Sequence, residues 1–308
     1  MSTVAVLGVG GVGGALAVRL AHAGMRVICI ARPKTVAAIK HGGLQLNWSG
    51  SGASGPGSQV IEAWPEARDR LDELADLLLV TVKAPDLPEA LLRIDEQPLV
   101  VMPLLNGLEH PVALRRRFGG RVAPGSIRIE ARAWVVDLGP EVSPHAGVHQ
   151  YSPFTIVRVA SDDLTVAELD GAADFLRRAM IETHVESSEK TVLWEKAARL
   201  AVLAPATALT QRPVGDLRAD PEWRPTMEAA IKDTCAIASA DGASTTPEAQ
   251  WEIIDSMPNN LSTSAARDIA AGAPSELDAI TGAAIRAGKR LGVRCPALVE
   301  LYDRCRAL

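Results

Sequence analysis

Three glycines near the start of the chain, Gly8, Gly10 and Gly13, have the spacing G-x-G-x-x-G. They follow a short apolar, β-branched run at 3–7 and precede helix-forming residues at 15–23. A strand, a glycine turn and a helix in that order suit a dinucleotide pyrophosphate. Gly8 allows the tight turn, Gly10 admits the phosphates close to the backbone, and Gly13 lets helix and strand pack closely. The helix start adds N–H groups without intrahelical partners and a partial positive charge. A second apolar run, 27–30, ends in Ala31-Arg32. An NAD-binding unit normally places Asp or Glu there for the ribose 2′-hydroxyl, whereas an arginine can pair with a 2′-phosphate. The expected cofactor is NADP(H).

Two residues in the C-terminal half could move or hold a proton. Lys196 stands in a stretch, 192–204, that is apolar nearly all round and reads as a buried spine. A lysine there either snorkels to solvent or points into a cleft. In a cleft, burial and the charge of Arg199 would lower its pKa and suit it to proton transfer. Glu276 lies in Ser275-Glu276-Leu277-Asp278, which has the capping-box pattern after Pro274, so its plain reading is a first-turn acid favouring the helix dipole.

The elements that must position these residues follow in order. A short helix is expected from 33 to about 40. Residues 49–58, rich in Gly and Ser, read as an exposed hairpin or flexible loop. Apolar strands at 76–82 and 98–102 end at Lys83 and at Leu105-Asn106-Gly107, with helices near 86–93 and 109–117. Strands alternating with helices imply a parallel, doubly wound sheet whose ligands bind beyond the strands' carboxyl ends. From 122 to 159 the pattern turns β-rich, with turns at Gly139-Pro140, Ser143-Pro144 and Ser152-Pro153, and hairpins completing the sheet are expected. A helix follows at 164–178. From Ser188, a plausible N-cap, helical signals dominate, punctuated by prolines that include Pro205 and Pro213. The expected division is an NADP-binding domain, 1–186, and an all-helical substrate domain, 187–308.

Composition narrows the partners. A chain of 308 residues with 47% hydrophobic content and mean hydropathy +0.10 can fill two cores. Its net charge of −5, with Arg115-Arg116-Arg117 an isolated triplet, argues against nucleic acid. No apolar run approaches the ~20 residues of a membrane span. The four cysteines show no C-x-x-C spacing and no clustering with histidine, so neither a disulfide framework nor a metal site is expected. A cytoplasmic protein with no membrane partner is the expectation.

Taken together the chain resembles the ketopantoate reductases, the 2-dehydropantoate 2-reductases, from its first strand to its last helix. The matching segments are Gly8-x-Gly10-x-x-Gly13, Arg32, Val80-Thr-Val-Lys83-Ala84, Leu105-Asn106-Gly107, Leu193-Trp194-Glu-Lys196, Pro205-x-Thr207-Ala208, Ser262-Thr-Ser264 with Asp268, and Glu276-Leu-Asp278-x-Ile280-x-Gly282. The resemblance implies a Rossmann-type sheet joined to a helical domain, and a homodimer. It makes Lys196 the proton donor and puts Glu276 by the nicotinamide ribose. Lys83 would contact the cofactor, Asn106 would lie between cofactor and substrate, and Ser264 would bind substrate. The cofactor set expected is Gly8, Val9, Gly10, Gly11, Val12, Gly13, Arg32, Lys83, Asn106, Ala131 and Glu276.

The chain departs from that pattern at three positions. Two asparagines normally follow the lysine at four-residue intervals, and here those substrate-facing positions hold Leu200 and Ala204. A third, beyond the helix, is replaced by Val214. Losing each polar partner of a buried substrate group costs about 1–3 kcal/mol. The expected reaction is NADPH-dependent reduction of 2-dehydropantoate or a related 2-oxo acid. The rivals are a more apolar ketone or imine, or a pocket that grips its substrate through Arg199, Gln211 or Arg212. A non-catalytic NADPH-binding protein is the remaining alternative.

Overall fold

The computed structural model describes residues 2–52, 55–136 and 145–307. The chain divides into two compact units. One comprises the residues up to Leu105 together with Pro111–Ser187; the other comprises Asn106–His110 and the chain from Ser188 onward.

The first unit is built on five parallel strands: β1 (Thr3–Leu7), β2 (Arg26–Ile30), β5 (Glu66–Arg68), β6 (Leu77–Val80) and β7 (Val100–Pro103), in the order β5-β2-β1-β6-β7. Side chains alternate between its faces. Val4, Val6, Leu77 and Leu79 enter one apolar cluster, while Ala5, Leu7, Leu78 and Val80 enter another. Both faces are covered, which explains why these strands read as continuous apolar runs. Helix α1 (Gly11–His22) follows β1, and α2 (Pro33–Gly42) follows β2 with proline in its first turn. A 3₁₀ turn, Ala84–Asp86, leads into α3 (Leu87–Leu91), and α4 (His110–Phe118) follows β7.

Val122 bridges to Val101 of β7 in parallel, but the strands expected within 122–159 to complete this sheet join two others. β3 (Leu44–Gly52) and β4 (Gly55–Ala63) pair as an antiparallel hairpin, which is the first of the two forms expected for 49–58. β10 (His145–Gln150) joins β3 in parallel and β9 (Ala131–Val136) antiparallel, giving a four-stranded sheet β4-β3-β10-β9. β8 (Gly125–Arg128), β11 (Ile156–Val159) and β12 (Glu182–Val185) make the third sheet, ordered β12-β11-β8, with α5 (Val166–Arg178) preceding β12. The reason lies in α1. Its residues from Gly13 to Val18 are all buried, so one sheet cannot cover it. Leu44, Leu46, Ala146 and Val148 of the second sheet share a cluster with Ala15, Leu16 and Val18 of α1. The expected turns at Gly139-Pro140 and Ser143-Pro144 lie outside the described residues.

The second unit is helical. Its centre is α6 (Glu189–Thr210), capped by Ser188, whose Oγ accepts from the Thr191 N–H at 3.1 Å. Around it come α7 (Val214–Ala219), α8 (Trp223–Ala240), α9 (Pro247–Ser256), α10 (Ser264–Ala270), α11 (Ala283–Leu291) and α12 (Pro296–Arg306). Helix α6 runs on past the expected end near 204, through Pro205. Proline removes the N–H that would have bonded the carbonyl four residues back, at Ala201. The Thr281 hydroxyl donates to that carbonyl at 2.9 Å, so the freed acceptor is satisfied and the helix continues.

The capping box expected at 275–278 does not form. A single π turn, Asp278–Gly282, leads into α11, and Leu277 N–H reaches Ser275 Oγ at 3.4 Å. The Asp278 carboxylate instead accepts from Tyr302 Oη at 2.6 Å and from Arg286 at 3.0 Å. Gly292, in the left-handed region at φ +70°, ends α11 as expected.

Candidate active site

In the first unit the glycine loop sits at the carboxyl end of β1. Gly8 has φ +96°, a conformation that favours glycine. Its carbonyl accepts from Thr81 Oγ1 at 2.7 Å, tying the loop to the end of β6. A Cβ on Gly13 would run into the Gly8 carbonyl and Thr81 Oγ1, whereas a Cβ on Gly10 would meet nothing within 4 Å. Gly13 is therefore a packing glycine and Gly10 an open one, the division of labour a bound pyrophosphate needs. Gly11 lies beneath the Ala131 carbonyl of β9, and Val9, Val12 and Ala131 pack against the core beside the loop. Gly10, the N-cap of α1, offers no side chain to the first N–H groups. Arg32 is exposed immediately beyond β2, at the N-cap of α2, and Lys83 is exposed beyond β6. The open glycine, the helix start and these cations fit a dinucleotide phosphate chain.

Asn106 groups with the helical unit, although in sequence it lies well inside the first. Its Nδ2 donates to Glu276 Oε2 at 3.0 Å. Glu276 is buried, so it is no solvated first-turn acid. Gly107, at φ +98°, packs so closely that a Cβ would collide with the Ala279 carbonyl, and Leu108 packs on the main helical core.

Lys196 is held in place by its own helix. Two residues earlier, Trp194 is fully buried and its Nε1 donates to Asp241 Oδ2 at 2.8 Å; Lys190 Nζ meets the same oxygen at 3.0 Å. That anchor sets the rotation of α6 and hence the direction of Lys196. The partly buried Lys196 amine is pushed down to about 8, chiefly by burial and then by the Arg199 charge, with Glu276 opposing. Such an amine can give up a proton near neutrality while its charge stabilises an oxyanion.

His110 was not among the residues picked out from sequence. It is buried, and Lys196's charge adds to the effect of burial in pushing its imidazole down to about 3. Its only sequence signal was a single histidine four residues after Asn106, where the helix following the strand begins.

The three substituted anchor positions are apolar in their packing too. Leu200 packs against the main helical core and Val214 is wholly buried in it. Ala204 belongs to a smaller cluster with Ala208, Ala265, Ala266, Leu277 and Tyr302. The three polar stand-ins are engaged locally. Arg199 donates to the Glu195 carbonyl and, at 3.3 Å, to Gln250 Oε1. Gln211 Nε2 donates to the Ala208 carbonyl at 2.7 Å, and Arg212 pairs with Asp220 at 2.7 Å. Ser264 is exposed at the first position of α10, following the N-cap Thr263. Among the described residues no cluster of His, Cys, Asp or Glu could hold a metal, and no helix is long and apolar enough to cross a membrane.

A glycine-loop parallel sheet with a helical unit carrying a shifted lysine defines a class, the nicotinamide-dependent oxidoreductases. Residues 4–151 match the family model for ketopantoate reductase PanE/ApbA, and 190–308 match that for its C-terminal domain. The chain belongs to the ketopantoate reductase family, whose members are NAD(P)-dependent reductases. It is 28% identical to the 2-dehydropantoate 2-reductase of Vibrio cholerae over 242 residues, covering 76% of this chain and 78% of the relative. The crystal structure of a PanE/ApbA family ketopantoate reductase from Ralstonia eutropha superposes with TM-score 0.80 at 26% identity, covering 99% of this chain and 97% of that one. D-mandelate dehydrogenase, solved with NADH and anilino(oxo)acetate, shares the fold at TM-score 0.82 and 20% identity, covering 99% of this chain and 97% of that one.

Proposed function

We propose that this chain reduces the keto group of a 2-oxo acid, 2-dehydropantoate or a related one, using NADPH. The carrying observation is Lys196, an amine brought down to about 8 on a helix whose rotation is pinned by Trp194, under the influence of Glu276. When bound, the reduced nicotinamide supplies a hydride. Gly8, Val9, Gly10, Gly11, Val12 and Gly13 would hold the phosphates, Arg32 would pair with the 2′-phosphate, and Lys83 and Ala131 would complete the cofactor contacts. Lys196 then stabilises charge on the carbonyl oxygen and donates its proton there. Glu276, fixed by Asn106, steadies the ribose and the lysine, while Asn106 and Ser264 orient the substrate. A homodimer in a reducing, cytoplasmic setting belongs to the same reading, and all four cysteines are free and buried.

A second reading keeps the chemistry and changes the substrate to a more apolar 2-oxo acid, ketone or imine. The packing of Leu200, Ala204 and Val214, with Arg199, Gln211 and Arg212 bonded elsewhere, supports it. A non-catalytic role is less well supported, because Lys196 and Glu276 are both retained. Loss of NADPH absorbance with ketopantoate beside a panel of linear, branched and aromatic 2-oxo acids decides. A kcat/KM for ketopantoate far below that for a bulkier acid selects the second reading, and no turnover with any compound removes both.

A further inference from the structure

His110 has no part in the mechanism above, yet its burial demands a reason. Its residue is 5% exposed, and neither ring nitrogen has a hydrogen-bond partner among the described residues. A neutral imidazole carries one N–H donor and one acceptor, and burying both unsatisfied is unfavourable. The ring is not adrift. It ends the segment Asn106–His110, pinned to the helical unit by the Asn106–Glu276 bond, by Gly107 against Ala279 and by Leu108 in the core. It also lies within electrostatic reach of Lys196. On α6, meanwhile, the side chains one and two turns beyond Lys196 are the apolar Leu200 and Ala204. A 2-oxo acid brings a carboxylate that accepts hydrogen bonds, and a donor without a partner among the described residues stands in the same unit as Lys196.

We propose that His110 is a substrate-binding residue, its imidazole N–H donating a hydrogen bond to the carboxylate of the 2-oxo acid. This rests on the reductase reading and deepens it. The carboxylate supplies the acceptor that the buried ring lacks, and the ring supplies polar contact that Leu200, Ala204 and Val214 cannot. A hydrogen bond to a charged group is among the stronger ones, so its removal should be read as about a tenfold or greater change in affinity.

The test compares wild type with His110→Phe, which keeps a flat ring without N–H groups, and His110→Gln, which restores a donor. Expected for His110→Phe is a KM for the best 2-oxo acid raised about tenfold or more, with kcat changed less. The calorimetric Kd of the matching 2-hydroxy acid should rise in parallel, and NADPH affinity should stay at the wild-type value. Preference for the acid over its neutral amide should shrink in His110→Phe and recover in part in His110→Gln. Unchanged KM and product affinity in a folded His110→Phe overturn the proposal, as does a loss confined to NADPH binding. If that variant does not fold, the imidazole ¹⁵N resonances of wild-type His110 serve instead; a shift on adding the 2-hydroxy acid supports the contact, and none overturns it. A wild type that neither reduces nor binds any member of the panel removes the reductase reading itself, whereas an active wild type with an indifferent variant removes the histidine alone.

Discussion

Asn106 Nδ2 donates a 3.0 Å hydrogen bond to Glu276 Oε2 across 170 residues of chain. The bond joins the loop that leaves β7 to the turn that opens α11, and both ends belong to the helical unit. A buried carboxylate held this way has a defined direction, and its charge opposes the forces that depress the Lys196 pKa.

Replacing Lys196 by alanine removes the proposed proton donor while leaving the glycine loop untouched. General-acid contributions run to about 10²–10⁴-fold, so kcat should fall by that order with NADPH affinity nearly intact. Stopped-flow single turnovers and fluorescence titration separate the two quantities. An alanine variant turning over at the wild-type rate rejects the assignment.

The lysine also sets a pH limit. A proton donor must be protonated, so kcat/KM for reduction should decline as pH rises through about 8. Glu276 favours the charged amine; Glu276→Gln therefore moves the decline to lower pH. A profile flat to pH 10, or one that shifts upward in the variant, contradicts this electrostatic account.

Arg32 should decide between the two nicotinamide cofactors. Charge-assisted bonds to a phosphate are worth about 1.5–3 kcal/mol, so Arg32→Ser should raise the KM for NADPH by about 10–100-fold. The KM for NADH should hardly move. Equal effects on both cofactors would place the arginine away from the 2′-phosphate.

Thr281→Val leaves the buried Ala201 carbonyl without its hydroxyl donor. The expected cost is about 1–3 kcal/mol, measured by urea unfolding. In a Pro205→Ala background a backbone N–H is available to the same carbonyl, so the penalty should shrink. Additive costs in the double variant would show that the hydroxyl acts independently of the proline.

His110 gives the fold an acid sensitivity. Its pKa is depressed in the folded chain, to about 3 against an ordinary 6.5, so between these values the unfolded chain binds a proton that the native chain refuses. Stability from this group is full above pH 6.5 and is lost as pH falls, by up to about 1.4 kcal/mol per pH unit. His110→Gln should flatten the decline of melting temperature between pH 7 and 5 relative to wild type. Parallel curves for the two proteins would count against a buried neutral ring.

Local chemistry made the parallel sheet readable in advance. Apolar runs, the glycine spacing, Arg32 after the second strand, the Ser188 cap and the Gly292 stop are short-range signals, each acting within one turn or one strand. The family likeness could also be read from linear motifs, including the lysine after Trp194. What needed the tertiary structure is everything that spans the chain. The strands after residue 122 left the parallel sheet because α1, apolar on two sides, required a second cover. Pro205 stayed inside α6 because a hydroxyl 76 positions later took the carbonyl it had freed. Ser275–Asp278 looked like a capping box, but Tyr302 and Arg286 claimed the aspartate and Asn106 claimed the glutamate. His110 carried no periodic or motif signal, since burial without a hydrogen-bond partner is a property of surroundings and not of neighbours in sequence. Backbone propensities and spacing act locally and can be read from the chain, whereas partners for buried polar groups are chosen only when distant segments meet.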